Sequence, residues 1–142
     1  MTYYKHITNN FPGGLFACVP EISLSDERPF EYEFFLRIAQ SFPLVKKLTL
    51  INWTPQNHKQ NRSSKNYDGD LLIIEYPHLT YLDLSEAHDD YVEQFLLDTK
   101  VCLPMNVTFD AIYESLQRVT HNFKRDETRI NCSKMTYIYI QK

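Results

Sequence analysis

Short segments along the chain share one pattern of apolar positions. In PLVKKLTLIN (43–52) and PHLTYLDLSE (77–86), apolar side chains fall at equivalent places, and the spacing recurs in VPEISLS (19–25), MTYIYI (135–140) and, more weakly, NVTFDA (106–111). Alternation of apolar and other residues over a short run predicts a strand with one buried face. We call the shared apolar positions anchors: Val19, Ile22, Leu24, Val45, Leu48, Leu50, Leu79, Leu82, Leu84, Val107, Phe109, Met135, Ile138 and Ile140, with Pro104 opening the weaker copy.

Three segments between these strands have the periodicity of amphipathic helices. They are residues 29–42, residues 91–96 and residues 110–123. Residues 70–76 are too short for more than one or two helical turns. The apolar stripes consist of Phe30, Phe34, Ile38 and Phe42 in the first helix, Tyr91, Val92, Phe95 and Leu96 in the second, and Ile112, Leu116, Val119 and Phe123 in the third.

The alternation of strands and helices predicts an α/β fold with parallel strands. Solenoids built on leucine-rich patterns repeat at roughly 20 to 29 residues, and the spacings from Leu24 to Leu50 and from Leu84 to Phe109 fall in that range. The wider spacing from Leu50 to Leu84 contains a polar stretch, residues 54–70, which we interpret as an inserted loop. We therefore expect a short, irregular leucine-rich-repeat solenoid. The alternative is a doubly wound parallel sheet, whose strand order would contain a reversal.

The chain has 142 residues, which is the size of one ordinary domain. We expect residues 1–18 to form an N-terminal extension and residues 19–142 to form one leucine-rich-repeat-like domain. The formal charge of −3 is mild, so neither nucleic acid nor membrane is an expected partner. Since the N-terminus has no export signal, we expect a cytoplasmic or nuclear protein in which Cys18, Cys102 and Cys132 are reduced, buried thiols.

Residues 30–52 and 76–100 resemble the repeat region of the F-box/leucine-rich-repeat proteins, and the similarity extends over about residues 19–140. The resemblance implies a receptor role. In that family the repeats bind a ubiquitylation substrate, while an N-terminal F-box docks to the adaptor of a cullin-type ubiquitin ligase. No F-box-like segment precedes Val19, so the adaptor is an expected partner only if an F-box exists elsewhere.

The turns between repeats depart from the regular leucine-rich pattern. Regular repeats carry Asn or Cys three residues after the last anchor. Here Glu27, Trp53, Ala87 and Ile112 occupy those places. We therefore expect an irregular solenoid whose turns are held by other groups.

An acidic cluster follows the strand at residues 79–84. Glu86, His88 and the two aspartates Asp89 and Asp90 have the side chains needed for a metal site or for general acid/base catalysis. Consecutive residues at a helix start point in different directions, however, and we expect Ser85 to cap the helix with the acids in its first turn. We predict no catalytic, metal-binding or cofactor-binding residues. The runner-up is a small enzyme on a doubly wound sheet with its site in this cluster.

Residues between the anchors are expected to point to the opposite, concave face of the sheet. Tyrosine offers a large contact area with few rotatable bonds and is favoured at binding surfaces. We predict a non-catalytic protein-binding module, with a fragment of no independent function as a further alternative. When the copies are aligned on their last anchors, Thr49, Asp83, Thr108 and Tyr139 fall in one row, and Lys47, Tyr81 and Tyr137 fall in another. The predicted binding residues are Lys47, Thr49, Tyr81, Asp83, Thr108, Tyr137 and Tyr139.

Overall fold

A computed structural model describes residues 4–57 and 73–140, with the backbone alone described for Tyr4, Lys5 and residues 137–140. Within these ranges the chain forms eight strands and four helices. They are β1 (Tyr4–Ile7), β2 (Glu21–Ser25), α1 (Tyr32–Ser41), β3 (Lys47–Asn52), β4 (Ile74–Glu75), β5 (Tyr81–Ala87), α2 (Asp89–Leu96), β6 (Val101–Cys102), β7 (Val107–Ile112), α3 (Tyr113–Thr120), α4 (Asp126–Ser133) and β8 (Met135–Ile140).

The central sheet has six strands in the order β1, β2, β3, β5, β7, β8, and every neighbouring pair is parallel. Strands β4 and β6 pair in parallel as a second, short sheet. The predicted α/β class with parallel strands is therefore confirmed. The central strands follow chain order, without the reversal that the doubly wound alternative requires among the strands described.

The anchors of the first four strand segments form the core, as their pattern predicts. Every anchor from Val19 to Phe109 is buried except Pro104, which is half-buried, and Ile22, Leu24, Leu48, Leu50 and Leu82 have no measurable exposure. The apolar stripes of α1 and α2 belong to the same buried cluster, together with Leu116 and Val119 of the third stripe. The other two members of the third stripe do not, because Ile112 is half-buried in β7 and Phe123 is exposed. The core thus fills the space between one face of the sheet and the helices, because both surfaces lose apolar area to water there.

Buried amides hold the irregular turns. Asn52 is 2% exposed; its Nδ2 donates to the Arg28 carbonyl at 2.8 Å, and its Oδ1 accepts from the Thr54 amide at 2.9 Å. Asn131 is 1% exposed and donates to the Val101 carbonyl at 2.8 Å. Each amide supplies partners to backbone groups that would otherwise be unsatisfied. Both asparagines lie at positions other than the one that regular leucine-rich repeats use for this purpose.

A tyrosine joins the first two helices to the chain that follows β3. The Tyr91 hydroxyl accepts from the Phe30 amide at 3.0 Å and donates to the Thr54 carbonyl at 2.7 Å. Its ring meets those of Phe30 and Phe35 at centroid separations of 6.3 and 6.1 Å. Burial, partly offset by the hydrogen bond to Phe30, raises the pKa of Tyr91 to about 12, so the hydroxyl remains a donor at neutral pH.

Three local expectations are wrong. Residues 70–76 were expected to form no more than one or two helical turns, but their described part contains the short strand β4. The third helix was expected to begin in residues 110–112, but these residues extend β7 and α3 begins at Tyr113. Cys18 and Cys102 are exposed rather than buried, because both lie in short turn or edge segments outside the core.

Two further segments bear on the expected boundaries. Strand β1 lies inside residues 1–18 and pairs with β2, so part of the expected extension belongs to the sheet. Of the expected inserted loop, residues 58–70 lie outside the described residues. Its first residues pack back on the fold, where the Gln56 amide donates to Asp90 at 2.9 Å.

Candidate functional site

The side of the central sheet that turns away from the helices forms a surface that we call the open face. Strand pairing arranges its residues in rows across the strands. The first row is Glu21, Lys47, Tyr81, Thr108 and Thr136; the second is Ser23, Thr49, Asp83 and Asp110; the third is Ser25, Ile51 and Glu86. Most of these residues are exposed or half-buried, in contrast to the anchors on the other face.

Five predicted binding residues lie together on the open face: Lys47, Thr49, Tyr81, Asp83 and Thr108. One alignment differs from expectation, because Thr108 pairs with Tyr81 rather than with Asp83. A shift of two residues leaves each side chain on its face of the sheet, since side chains alternate with a period of two. The five residues therefore share the open face although the expected register of β7 is wrong.

The expected alignment of β8 is wrong. Tyr139 was expected beside Thr108, but the pairing places Tyr139 beside Ala111 and Tyr137 beside Phe109. A register shift by an odd number of residues places a side chain in a row that faces the opposite side of the sheet. Positions 137 and 139 therefore align with the core-facing row of β7 rather than with the open-face row. Their side chains lie outside the described atoms.

A bulge in β5 changes which residues reach the open face. Thr49 pairs with Asp83, yet Ile51, two residues on, pairs with Glu86, so β5 contains one extra residue. Ser85 stabilises this bulge, since its amide and its hydroxyl donate to Asp83 Oδ1 at 3.0 and 2.7 Å. As a consequence, the exposed residues Ile51 and Glu86 lie side by side on the open face.

Two carboxylates face each other across β5 and β7. Asp83 pairs with Asp110, and the Tyr81 hydroxyl donates to Asp110 Oδ2 at 3.1 Å. The second oxygen of Asp110, Oδ1, is buried and has no hydrogen-bond partner within the described structure. The pKa of Asp110 lies above its ordinary value. Partial burial and the negative charge of Asp83 raise this pKa, and the hydrogen bond from Tyr81 only partly opposes them.

The ammonium group of Lys47 on the open face contacts Glu21 and Tyr81 rather than the aspartate pair. Lys47 Nζ lies 3.8 Å from a carboxylate oxygen of Glu21 and 5.2 Å from the centre of the Tyr81 ring. Among the described residues, no lysine or arginine forms an ion pair with Asp83 or Asp110. Like charges directly opposite on neighbouring strands destabilise a sheet. Among the described side chains, the pair Asp83 and Asp110 therefore has no cation of its own.

The acidic cluster of residues 86–90 is divided between two surfaces. Glu86 lies on the open face, whereas Asp89 accepts hydrogen bonds from Arg118 Nε at 2.6 Å and from the Ser115 hydroxyl at 2.6 Å. Burial alone would raise the pKa of Asp89, but the bonds from Arg118 and Ser115 and the charge of Arg118 outweigh burial and lower it. Asp90 instead accepts from Gln56.

The start of α2 also differs from expectation. The helix is capped by His88, whose Nδ1 accepts from the Asp90 amide at 3.0 Å, and the expected cap Ser85 lies in β5. Asp89 and Asp90 occupy the first turn as expected, but Glu86 does not. The bulge causes both errors, because it extends β5 beyond the point where the apolar alternation ends.

A cleft of about 290 Å³ borders this helix start and is lined by both signs of charge. Besides the pair of Asp89 and Arg118, Arg125 Nη1 donates to Glu93 Oε2 at 2.8 Å. We call this region the α2 cleft: His88, Asp89, Asp90, Glu93, Arg118, Val119, His121 and Arg125. Since these ion pairs link α2 to α3 and to the start of α4, we interpret the charges of the α2 cleft as structural.

Sequence reasoning missed Asp110 and Ile51 as open-face residues. Asp110 was assigned to a helix start, although the apolar alternation of Val107, Phe109 and Ala111 continues past it and indicates a longer strand. Ile51 was treated only as part of an anchor strand. It is 37% exposed, and Trp53, which follows β3, is 56% exposed.

Comparisons with protein-family models, with curated proteins and with solved structures found no match. Within residues 4–57 and 73–140, no group of three or more His, Cys, Asp or Glu side chains is arranged to hold a metal ion. Every helix in the same ranges is too short or too polar to cross a lipid bilayer.

Proposed function

We propose that the chain is a protein-binding module without catalytic activity and that its open face contacts the partner. The observation that carries the proposal is the composition of the open face. It combines the exposed apolar side chain of Ile51 with the half-buried aromatic Tyr81 and with carboxylates, and the exposed Trp53 follows directly after β3. Aromatic residues surrounded by polar groups are typical of interface centres, where they supply most of the binding energy.

We further propose that the central sheet belongs to a short leucine-rich-repeat solenoid. Three features support this: all neighbouring strands are parallel, they follow chain order, and equivalent anchors are buried from one strand to the next. Crossover connections between parallel strands are right-handed, and a sheet that grows in one direction then keeps its helices on one side. Such an arrangement leaves the opposite face available for a partner.

The resemblance to F-box/leucine-rich-repeat proteins extends the proposal to a substrate receptor of a ubiquitin ligase. In that role the open face would bind the protein that is to be ubiquitylated. A contact with the adaptor of a cullin-type ligase would need an F-box supplied by another segment or another chain.

Affinity capture from cell extract tests these proposals in one experiment. Wild type is compared with Tyr81→Ala on the open face and with Ile130→Ala, an exposed residue of α4, as the matched control. We expect proteins that are recovered by wild type and by Ile130→Ala and lost by Tyr81→Ala. Identical recovery by all three would contradict the open-face proposal, and absence of ligase subunits would contradict the receptor role alone.

A further inference from the structure

The charge of the open face is unbalanced in a way that specifies its partner. The described open-face residues include four carboxylates, those of Glu21, Asp83, Glu86 and Asp110, and one ammonium group, that of Lys47. Lys47 lies between Glu21 and the Tyr81 ring, at the first row. The excess of negative charge is therefore concentrated in the second and third rows.

Apolar surface adjoins these carboxylates. Ile51 pairs with Glu86 in the third row, and Trp53 comes directly after Asn52, the last residue of β3. A guanidinium group binds carboxylates through several N–H donors and also stacks on aromatic rings, so it matches both components of this surface. An acidic partner would bring like charges against Asp83 and Asp110 and is disfavoured.

Resting on the proposed function, we propose that the partner of the open face is a basic protein segment that carries arginine or lysine together with apolar side chains. One cationic side chain of this segment lies against Asp83 and Asp110, and the apolar side chains cover Ile51 and Trp53. The partner thereby supplies the cation that the described residues do not place beside this carboxylate pair.

The width of the sheet gives the size of the segment. Six strands at a spacing of about 4.8 Å span about 24 Å. An extended chain covers at most about 3.5 Å per residue, so a segment of roughly seven residues crosses the whole face. This length is within reach of a peptide library.

Selection from a random twelve-residue peptide library tests the proposal without a known partner. The library is selected in parallel on four immobilised proteins: wild type, Asp83→Asn/Asp110→Asn, Tyr81→Ala and the control Glu33→Gln/Glu75→Gln. The control removes two exposed carboxylates from α1 and β4. Each variant is first shown to unfold cooperatively, like wild type, so that loss of binding reflects the surface.

We expect peptides selected on wild type to be enriched in arginine or lysine next to apolar residues. Their affinity should fall at least tenfold for the Asp83→Asn/Asp110→Asn protein and change less than twofold for the control. Peptides that depend on Tyr81 but have no basic bias would overturn this inference and leave the proposed function intact. If no selected peptide loses affinity for either open-face variant, the inference and the proposed function both fail.

Discussion

The carboxylates of the α2 cleft and those of the open face differ in their surroundings. In the α2 cleft, Asp89 receives two hydrogen bonds from Arg118 and one from a serine. On the open face, Asp83 and Asp110 pair across two strands with hydroxyl and backbone donors but no cation among the described residues. Aspartate therefore links helices through ion pairs in the α2 cleft, whereas on the open face its negative charge is available to a binding partner.

This difference has a consequence for the dependence of stability on pH. The pKa of Asp89 is lowered in the folded state, so its charged form adds stability above the ordinary value of 3.8, and this is lost as the pH falls through the folded pKa. The pKa of Asp110 is raised, so its charged form costs stability above the raised pKa, and this cost disappears as the pH falls below 3.8. The two aspartates should thus respond to amidation with opposite signs.

The largest effect is expected from breaking an ion pair of the α2 cleft. Arg125 and Glu93 side chains are 20% and 16% exposed, and Arg125→Met leaves the Glu93 carboxylate without this guanidinium. We expect a loss of about 2 kcal/mol in the free energy of unfolding, measured by chemical denaturation. The matched control is Arg129→Met, whose pair with Asp126 is largely exposed and should change stability by less than about 0.5 kcal/mol. Equal losses would contradict the structural role of the cleft.

Amidation in the α2 cleft should be the next largest effect. Asp89→Asn keeps the shape of the side chain but removes the charge that Arg118 contacts, and we expect a loss of about 1 kcal/mol at pH 7. The loss should shrink as the pH falls below 3.8, because wild type then loses the same interaction. Urea denaturation at several pH values measures this, with Asp126→Asn as the exposed control. A loss that is constant across pH would exclude a charge effect.

Amidation on the open face should have the opposite sign. Asp110→Asn removes a like-charge contact with Asp83, and we expect a gain of about 0.5 to 1 kcal/mol at pH 7 that vanishes below pH 3.8. The same denaturation series measures it, with Glu33→Gln on α1 as the control. A clear loss of stability at neutral pH would show that the Asp110 carboxylate makes favourable contacts in the free protein.

Supplying a cation within the chain should give the smallest effect. Thr49 pairs with Asp83, and Thr49→Arg places a guanidinium beside the carboxylate pair. We expect a gain of about 0.5 kcal/mol relative to Thr49→Met, which has an uncharged side chain of comparable reach. The arginine variant should also bind basic peptides more weakly than the methionine variant. If the two variants are equally stable and bind basic peptides equally well, a cation beside Asp83 and Asp110 has no effect on stability or binding, which would contradict the account.

The α/β class and the parallel sheet could be predicted from the sequence because burial imposes a period on the apolar residues. The anchors Val45, Leu48 and Leu50 recur as Leu79, Leu82 and Leu84, and each set can be buried only if its strand lies beside the next with the same face inward. The stripes of α1 and α2 followed from the same reasoning, whereas the third stripe was wrong at Ile112, which lies in β7, and at Phe123, which is exposed. Strands β4 and β6 were not predicted, since two residues are too few to show alternation.

The candidate surface could be predicted only in part, because strand pairing is a tertiary property. Residues on β3 and the start of β5 were placed correctly, since the anchors align them. The bulge at Ser85 and the register of β8 depend on hydrogen bonds between strands and on lateral packing. For this reason Tyr139 was assigned to the wrong row. Asp110 was missed for a different reason, because it was assigned to a helix start although the alternation of Val107, Phe109 and Ala111 indicates a longer strand.

A titration of the side-chain carboxyl carbons by nuclear magnetic resonance tests the central claim most directly. Asp89 and Asp110 can be followed in one sample of the unliganded protein. We expect the pKa of Asp110 to lie above 3.8 and that of Asp89 to lie below it. An Asp110 pKa at or below 3.8 would show that this carboxylate is already satisfied in the free protein and would contradict the proposed basic partner.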